Sequence, residues 1–235
     1  MREKEVVGNI YHVLSRGVDK RNIFLDNKDR YRFIHNLFEF NDINPSVNNW
    51  YRFNSRPIDF ASRYMKEPRK LLVDILAFCL MPNHYHLLIK PRVVGGLLKF
   101  LRRLNIGYVK YFNDKHKRKG ALFEGRYKLI LIADESHFIH IPYYIHLNPL
   151  DLVAPEWREK NINNHGKAIK FLESYKWSSH LDYAGIKNFP SITSREFLLE
   201  FFGGSEKYKK EIENWIKFKT DNYKQKNQFN LKNFE

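Results

Sequence analysis

From Leu71 to Leu80 the chain is apolar at every position except Asp74. A run with no polar alternation reads as a buried central strand rather than a half-exposed one. Met81-Pro82-Asn83 follows as a turn, and His84 to Lys90 resumes as a second strand, so the two form a hairpin. This hairpin restricts the rest of the chain to elements that can complete a sheet around it.

Those elements are legible on both sides. Ile10 to Ser15 reads as a strand stopped by Arg16-Gly17, and Asp26 to Phe40 as a helix with Tyr31, Ile34, Leu37 and Phe38 at helical spacing. Gly95-Gly96 opens another helix, whose Leu97, Phe100, Leu101, Leu104 and Tyr108 form one apolar stripe ending near Asn113-Asp114. Tyr127 to Ala133 reads as a strand. Glu135 to Leu147 reads as a helix, with Asp134 as its N-cap and Asn148-Pro149 as its stop. The order β-α-β-β-α-β plus a helix predicts an α+β, ferredoxin-like (split βαβ) fold. Its four-stranded antiparallel sheet would carry helices on one face.

Two stretches fall outside this core. Asn41 to Lys70 loses periodicity and reads as a long loop or insertion. After Asp151 the pattern changes, giving a division into a catalytic domain at 1–151 and a mostly helical C-terminal extension at 152–235. In the extension, Thr193-Ser194-Arg195-Glu196 has capping-box spacing, Ser205 to about Lys217 reads as a last helix, and Asp221 to Glu235 as a polar, disordered tail.

The chain of 235 residues has 41 Lys and Arg against 26 Asp and Glu, a net charge of +15. Such a chain should attract polyanions. Its only cysteine, Cys79, excludes an intrachain disulfide framework and a Cys-rich zinc module, and reads as a small buried hydrophobe. No apolar run is long enough for a bilayer, and no apolar segment follows the charged Met1-Arg2-Glu3-Lys4. The expectation is a cytoplasmic protein with no membrane partner. Ten of the cations lie between Lys99 and Lys128, offset only by Asp114 and Glu124. Interleaved with them are Tyr108, Tyr111, Phe112, Phe123 and Tyr127, a mixture suited to single-stranded nucleic acid. A solvated helix face followed by a basic turn is the bland alternative.

The sharpest local feature is His84-Tyr85-His86. On a strand, residues i and i+2 face the same way, so both imidazoles could grip one divalent cation. For an isolated pair, two structural histidines are the commoner case. On the helix ending the core, Tyr144 and Asn148 are four apart and share a face. Asn148 can offer an amide oxygen to a hard metal and Tyr144 a phenol as nucleophile, although core packing is the commoner fate of a helical tyrosine. Two His nitrogens and one amide oxygen suit Mg²⁺ or Mn²⁺ better than a structural zinc. His12 is expected to be packed or hydrogen-bonded rather than a ligand, His146 to point elsewhere, and His116 to be solvated. Pro142 is expected to remove a helix hydrogen bond and kink the helix.

Leu80-Met81-Pro82-Asn83-His84-Tyr85-His86-Leu87-Leu88-Ile89 resembles the His-hydrophobic-His strand of the HUH single-strand nucleases, and within them the REP-associated tyrosine transposases. Four further segments resemble that family in the same order: Tyr11-His12-Val13 with Arg16-Gly17; Tyr111-Phe112-Asn113 with Gly120 to Lys128; Tyr144-Ile145-His146-Leu147-Asn148-Pro149; and Tyr175-Lys176-Trp177-Ser178-Ser179. Tyr143 stands where that pattern has a basic residue. The resemblance implies a nucleoid-associated DNA strand transferase with Tyr144 as nucleophile (Tyr143 the runner-up) and His84, His86 and Asn148 as ligands of Mg²⁺ or Mn²⁺. Its substrate would be hairpin-bearing single-stranded DNA, acted on through a 5′-phosphotyrosine link by a monomer or homodimer. Arg16, Arg102, Arg103, Lys110, Arg118, Arg126 and Lys128 are the residues expected to meet DNA, as a track leading towards the metal. Two other readings are a non-catalytic nucleic-acid-binding module of the same fold and a metal hydrolase that uses water.

Overall fold

The computed structural model describes residues 5–44 and 69–217. Most of the predicted insertion at Asn41 to Lys70, and all of the predicted tail from Asp221, lie outside them. Strand β2 (Val73–Met81) turns through Pro82-Asn83 into β3 (His84–Pro91), with Met81 opposite His84 and Cys79 opposite His86. Strand β1 (Ile10–Arg16) pairs antiparallel with β3 on one side and with β4 (Lys128–Ile132) on the other. The sheet order β2-β3-β1-β4 is that of the ferredoxin-like fold.

Because opposed residues share a sheet face, His12, Leu14 and Arg16 stand on the face of His84 and His86, and Ser15 on that of Tyr85. Helices α1 (Asn27–Glu39) and α2 (Gly96–Lys115) cover the Tyr85 face. There the Tyr85 hydroxyl donates to Asn105 of α2 at 2.7 Å, and its ring meets Phe33 of α1. The predicted α2 stripe is fully buried. Midway along α2, a side chain at Gly107 would run into the Phe40 ring. The glycine therefore permits close helix contact at its usual cost in helix propensity.

The helices do not all stay on one face. Helix α3 (Glu135–Leu147) crosses the histidine face, with Asp134 capping it by accepting from the His137 amide at 2.8 Å. It runs through Pro142 unbroken and is buried from His140 onwards. Behind it lie α4 (His165–Ser174), α5 (His180–Tyr183), α6 (Glu196–Phe202) and α7 (Ser205–Lys217). One buried apolar cluster runs without interruption from Tyr11 to Ile216, so residues on both sides of position 151 share a core.

Strand β2 is an edge strand, not a central one. Its continuous apolarity has another cause: the segment around Trp177 to Ser179 seals its outer edge. The Leu80 amide donates to the Trp177 carbonyl and the Ser179 amide to the Phe78 carbonyl, while the Ser179 hydroxyl accepts from the Phe78 amide. The Tyr175 and Tyr183 hydroxyls donate to the carbonyls of Leu80 and Leu76. An exposed edge is thus closed by groups that satisfy it. The expected capping box does not form. Helix α6 has Arg195 at its N-cap without a side-chain bond, and Ser194 instead donates to Asp74 at 2.7 Å. Asp74, the one polar residue of the apolar run, is also held by Arg92.

Candidate active site

The two histidines of β3 arrive as the strand period requires, with ring centroids 4.9 Å apart. The Nδ1 of His84 lies 2.7 Å from the Asn83 amide oxygen, and the Nδ1 of His86 lies 2.8 Å from Nε2 of His12. When each Nδ1 carries the proton and donates it, each Nε2 is left with a bare lone pair, the form in which histidine binds metal. The Nε2 of His86 is buried and has no hydrogen-bond partner. Burial pushes the His84 ring down to about 4, helped by Arg16 and Arg158 and opposed by Asp151 and a hydrogen bond with Asn148. Burial also holds His86 well below its ordinary value, and takes His12 to about 3. The three rings are therefore neutral at pH 7. His12 is hydrogen-bonded, and its bond fixes the orientation of the His86 ring.

Helix α3 brings Tyr144 across this pair. Its ring is fully buried and stands edge-on to His86 at 5.7 Å and to His12 at 6.2 Å. Asn148, one turn further, is also fully buried, and its amide donates to the Tyr144 carbonyl at 2.9 Å. Tyr143 points the other way, against Phe202, Tyr208 and Trp215. Among the described residues no three His, Cys, Asp or Glu side chains form a metal cluster.

The back of α3 is pinned by a buried polar chain. His146 Nε2 meets the Ser179 hydroxyl at 2.7 Å, and its Nδ1 meets the Tyr208 hydroxyl at 2.8 Å. That hydroxyl also meets His180 Nδ1 at 2.7 Å. Burial lowers His180 to about 4 and His146 well below its usual range. An unfolded chain would take up these protons near pH 6.5, so between pH 6.5 and 4 it binds more protons than the folded chain. Stability present above pH 6.5 is therefore lost as pH falls, by about 3 kcal/mol from His180 alone. Melting curves should show a lower Tm at pH 5 than at pH 7.5, and a shallower drop for His180→Gln. Equal melting at both pH values would contradict this.

Sequence reasoning missed three contributors. The 3₁₀ turn Asn148–Leu152 carries Asp151, and the turn Pro155–Glu159 carries Trp157 and Arg158. Arg158 is clamped on Asp151, at 2.9 Å to one carboxylate oxygen and 2.6 Å to the other. It donates to the Tyr144 hydroxyl at 3.3 Å and to the Asn148 amide oxygen at 3.4 Å. Burial alone would lower this guanidinium, but the bonds with Asp151 and Tyr144 raise it above its ordinary value. The only signal was faint: Pro155 restarting a turn, with an acid and a base seven positions apart.

The predicted DNA contacts divide. Arg16 faces His84 across the β1–β3 pair, and Lys128 lies opposite Leu14 on the same sheet face and at the same end. Arg126 is exposed beside them but precedes β4, so the expected strand alternation with Lys128 does not exist. Arg102 and Lys110 are exposed on α2, on the opposite side of the sheet. Arg103 is occupied by the carbonyls of Asp42 and Ile43, and Arg118 by Asn113, Ala121 and the Phe112 ring. The basic stretch is therefore not one track to the histidines. Four of its five rings are taken up by the fold: Tyr108, Phe112 and Phe123 are core, and Tyr111 donates to Asp29. His116 is not solvated but bonded to Asp29, which is buried and also holds Lys115.

Fold and site together define a class: a ferredoxin-like sheet whose His-hydrophobic-His strand is crossed by a tyrosine-bearing helix. Residues 60–148 match the family model described as "Transposase IS200 like", ending on Asn148. The match covers this stretch only, which is similar to that family. No curated protein matches the chain. Among solved structures, that of a REP-associated tyrosine transposase bound to a REP hairpin is similar over 80% of this chain and 88% of its own, with a TM-score of 0.47 and 16% identity. Among the described residues no helix is long and apolar enough to cross a membrane.

Proposed function

We propose that this chain cleaves and rejoins single-stranded DNA through a 5′-phosphotyrosine link on Tyr144, at a site loaded with Mg²⁺ or Mn²⁺. The observation that carries the reading is the meeting of Tyr144 with His86, whose Nε2 is buried without a partner, on a helix that ends in Asn148. The donor types suit the ion: Nε2 of His84 and His86, each with Nδ1 tied by a hydrogen bond, and the Asn148 amide oxygen, which would share its two lone pairs between the metal and Arg158. When bound, the metal supplies Lewis-acid charge to a phosphate oxygen.

The chain's own residues do the rest. The Tyr144 oxygen attacks phosphorus, the Oη–P bond forms and the P–O3′ bond breaks. The phenol gives up one proton and the departing 3′ oxygen takes one up. The phosphoester energy is kept in the protein link, so attack by a 3′ hydroxyl can reseal a strand without a nucleotide cofactor. Arg16, Arg126 and Lys128, at the histidine end of the sheet, are placed to hold the strand by its phosphates. Arg102 and Lys110 belong to a separate contact on the far side, suited to the duplex stem of a hairpin.

The test is to incubate the protein with Mn²⁺ and a labelled hairpin-tailed oligonucleotide and separate the products under denaturing conditions. A covalent protein–DNA species that disappears with EDTA is the expected result. Cleavage without it would mean hydrolysis by water, and binding without cleavage a recognition module.

A further inference from the structure

We propose that Arg158 is a catalytic residue: the guanidinium that engages the phosphate at the moment Tyr144 attacks it. The inference rests on the reading of Tyr144 as nucleophile. Arg158 already touches the reacting atom, with its Nη1 3.3 Å from the Tyr144 hydroxyl and Nη2 3.4 Å from the Asn148 amide oxygen. A phosphorus bonding to that hydroxyl carries its non-bridging oxygens into the same shell of contacts, where a fixed cation is worth most.

The fixing is visible. Asp151 grips Nε and Nη2, and so sets the plane of the guanidinium while leaving Nη1 directed at the phenol. Trp157 donates its indole N–H to the same carboxylate and lies against both Arg158 and Tyr144. Preorganisation of this kind removes the cost of ordering a long side chain during the reaction. Accessibility points the same way. Tyr144 is fully buried, whereas the Arg158 side chain is 24% exposed, so a phosphate approaching the phenol meets Arg158.

A purely structural ion pair would explain the Asp151 contact but gives no reason for the two contacts with Tyr144 and Asn148. Arg158 takes up no proton or electron in this role. It offsets negative charge on the phosphate while the Oη–P bond forms and the P–O3′ bond breaks.

The test uses the full chain with Mn²⁺ and two oligonucleotides. They are identical except that the bond cut by the wild-type protein is a phosphodiester in one and an uncharged methylphosphonate in the other. Arg158→Ala is expected to slow adduct formation on the phosphodiester by about 10²-fold or more, and on the methylphosphonate by less than about tenfold, because the charge it meets is gone. Equal losses on both substrates, or no loss on the phosphodiester, would overturn the proposal. Should Arg158→Ala melt below the assay temperature, Arg158→Lys makes the same comparison, with a smaller loss expected on the phosphodiester alone. A wild-type protein that forms no adduct would overturn the Tyr144 reading and this one together, whereas an Arg158-specific failure leaves the wild-type adduct intact.

Discussion

Tyr144→Phe is expected to abolish the covalent DNA adduct, a loss of at least about 10³-fold in its rate of formation, while the protein stays folded. Phenylalanine keeps the ring that stands edge-on to His86 and His12 and packs on Trp157. It loses one hydroxyl, whose contacts include Arg158 at 3.3 Å. The cost to stability is on the order of 1 kcal/mol per hydrogen bond lost. A denaturing gel with labelled oligonucleotide reads the first effect and a melting curve the second. An adduct that survives the substitution would place the nucleophile elsewhere.

His86→Ala is expected to lower cleavage by more than about 10²-fold, without recovery at raised Mn²⁺. The reason is specific to its environment. Its Nε2 is buried with no hydrogen-bond partner, while its Nδ1 is tied to His12. Leaving such an atom unpaired is costly unless a ligand uses it. DNA binding should be nearly unchanged in a gel-shift experiment, because phosphates are met by Arg and Lys side chains rather than by His86. Wild-type cleavage by His86→Ala would remove the metal-ligand role from this histidine.

Local signals made much of the fold legible. The apolar run with its Met81-Pro82-Asn83 turn marked the β2–β3 hairpin, Asp134 marked the start of α3, and the Leu97 to Tyr108 stripe marked the buried face of α2. The His84–His86 spacing told which side chains share a sheet face, because a strand's period is two. What pattern could not supply was which elements meet. The ten cations between Lys99 and Lys128 look like one patch along the chain, yet α2 carries Arg102 and Lys110 to one side of the sheet while Lys128 faces the other. Tyr108 and Phe112 are interleaved with cations in sequence but sit one turn apart on the inner face of a helix, where they are core. The apolarity of β2 suggests a central position in sequence, although it comes from the cover laid on its edge by residues 175–194. Arg158 escaped notice because its meaning depends on a contact with Tyr144 across a turn, and no periodicity encodes that.

The central claim is that Tyr144, and not its neighbour Tyr143, becomes joined to DNA. The two side chains point to opposite sides of α3, one to the histidines and the other into the packing of α7. Digesting the adduct with nuclease and protease and fragmenting the remaining peptide in a mass spectrometer locates the nucleotide remnant. The expected result is a 5′-phosphate remnant on Tyr144. A remnant on Tyr143 or any other residue, or cleaved DNA with no linked peptide, would contradict it.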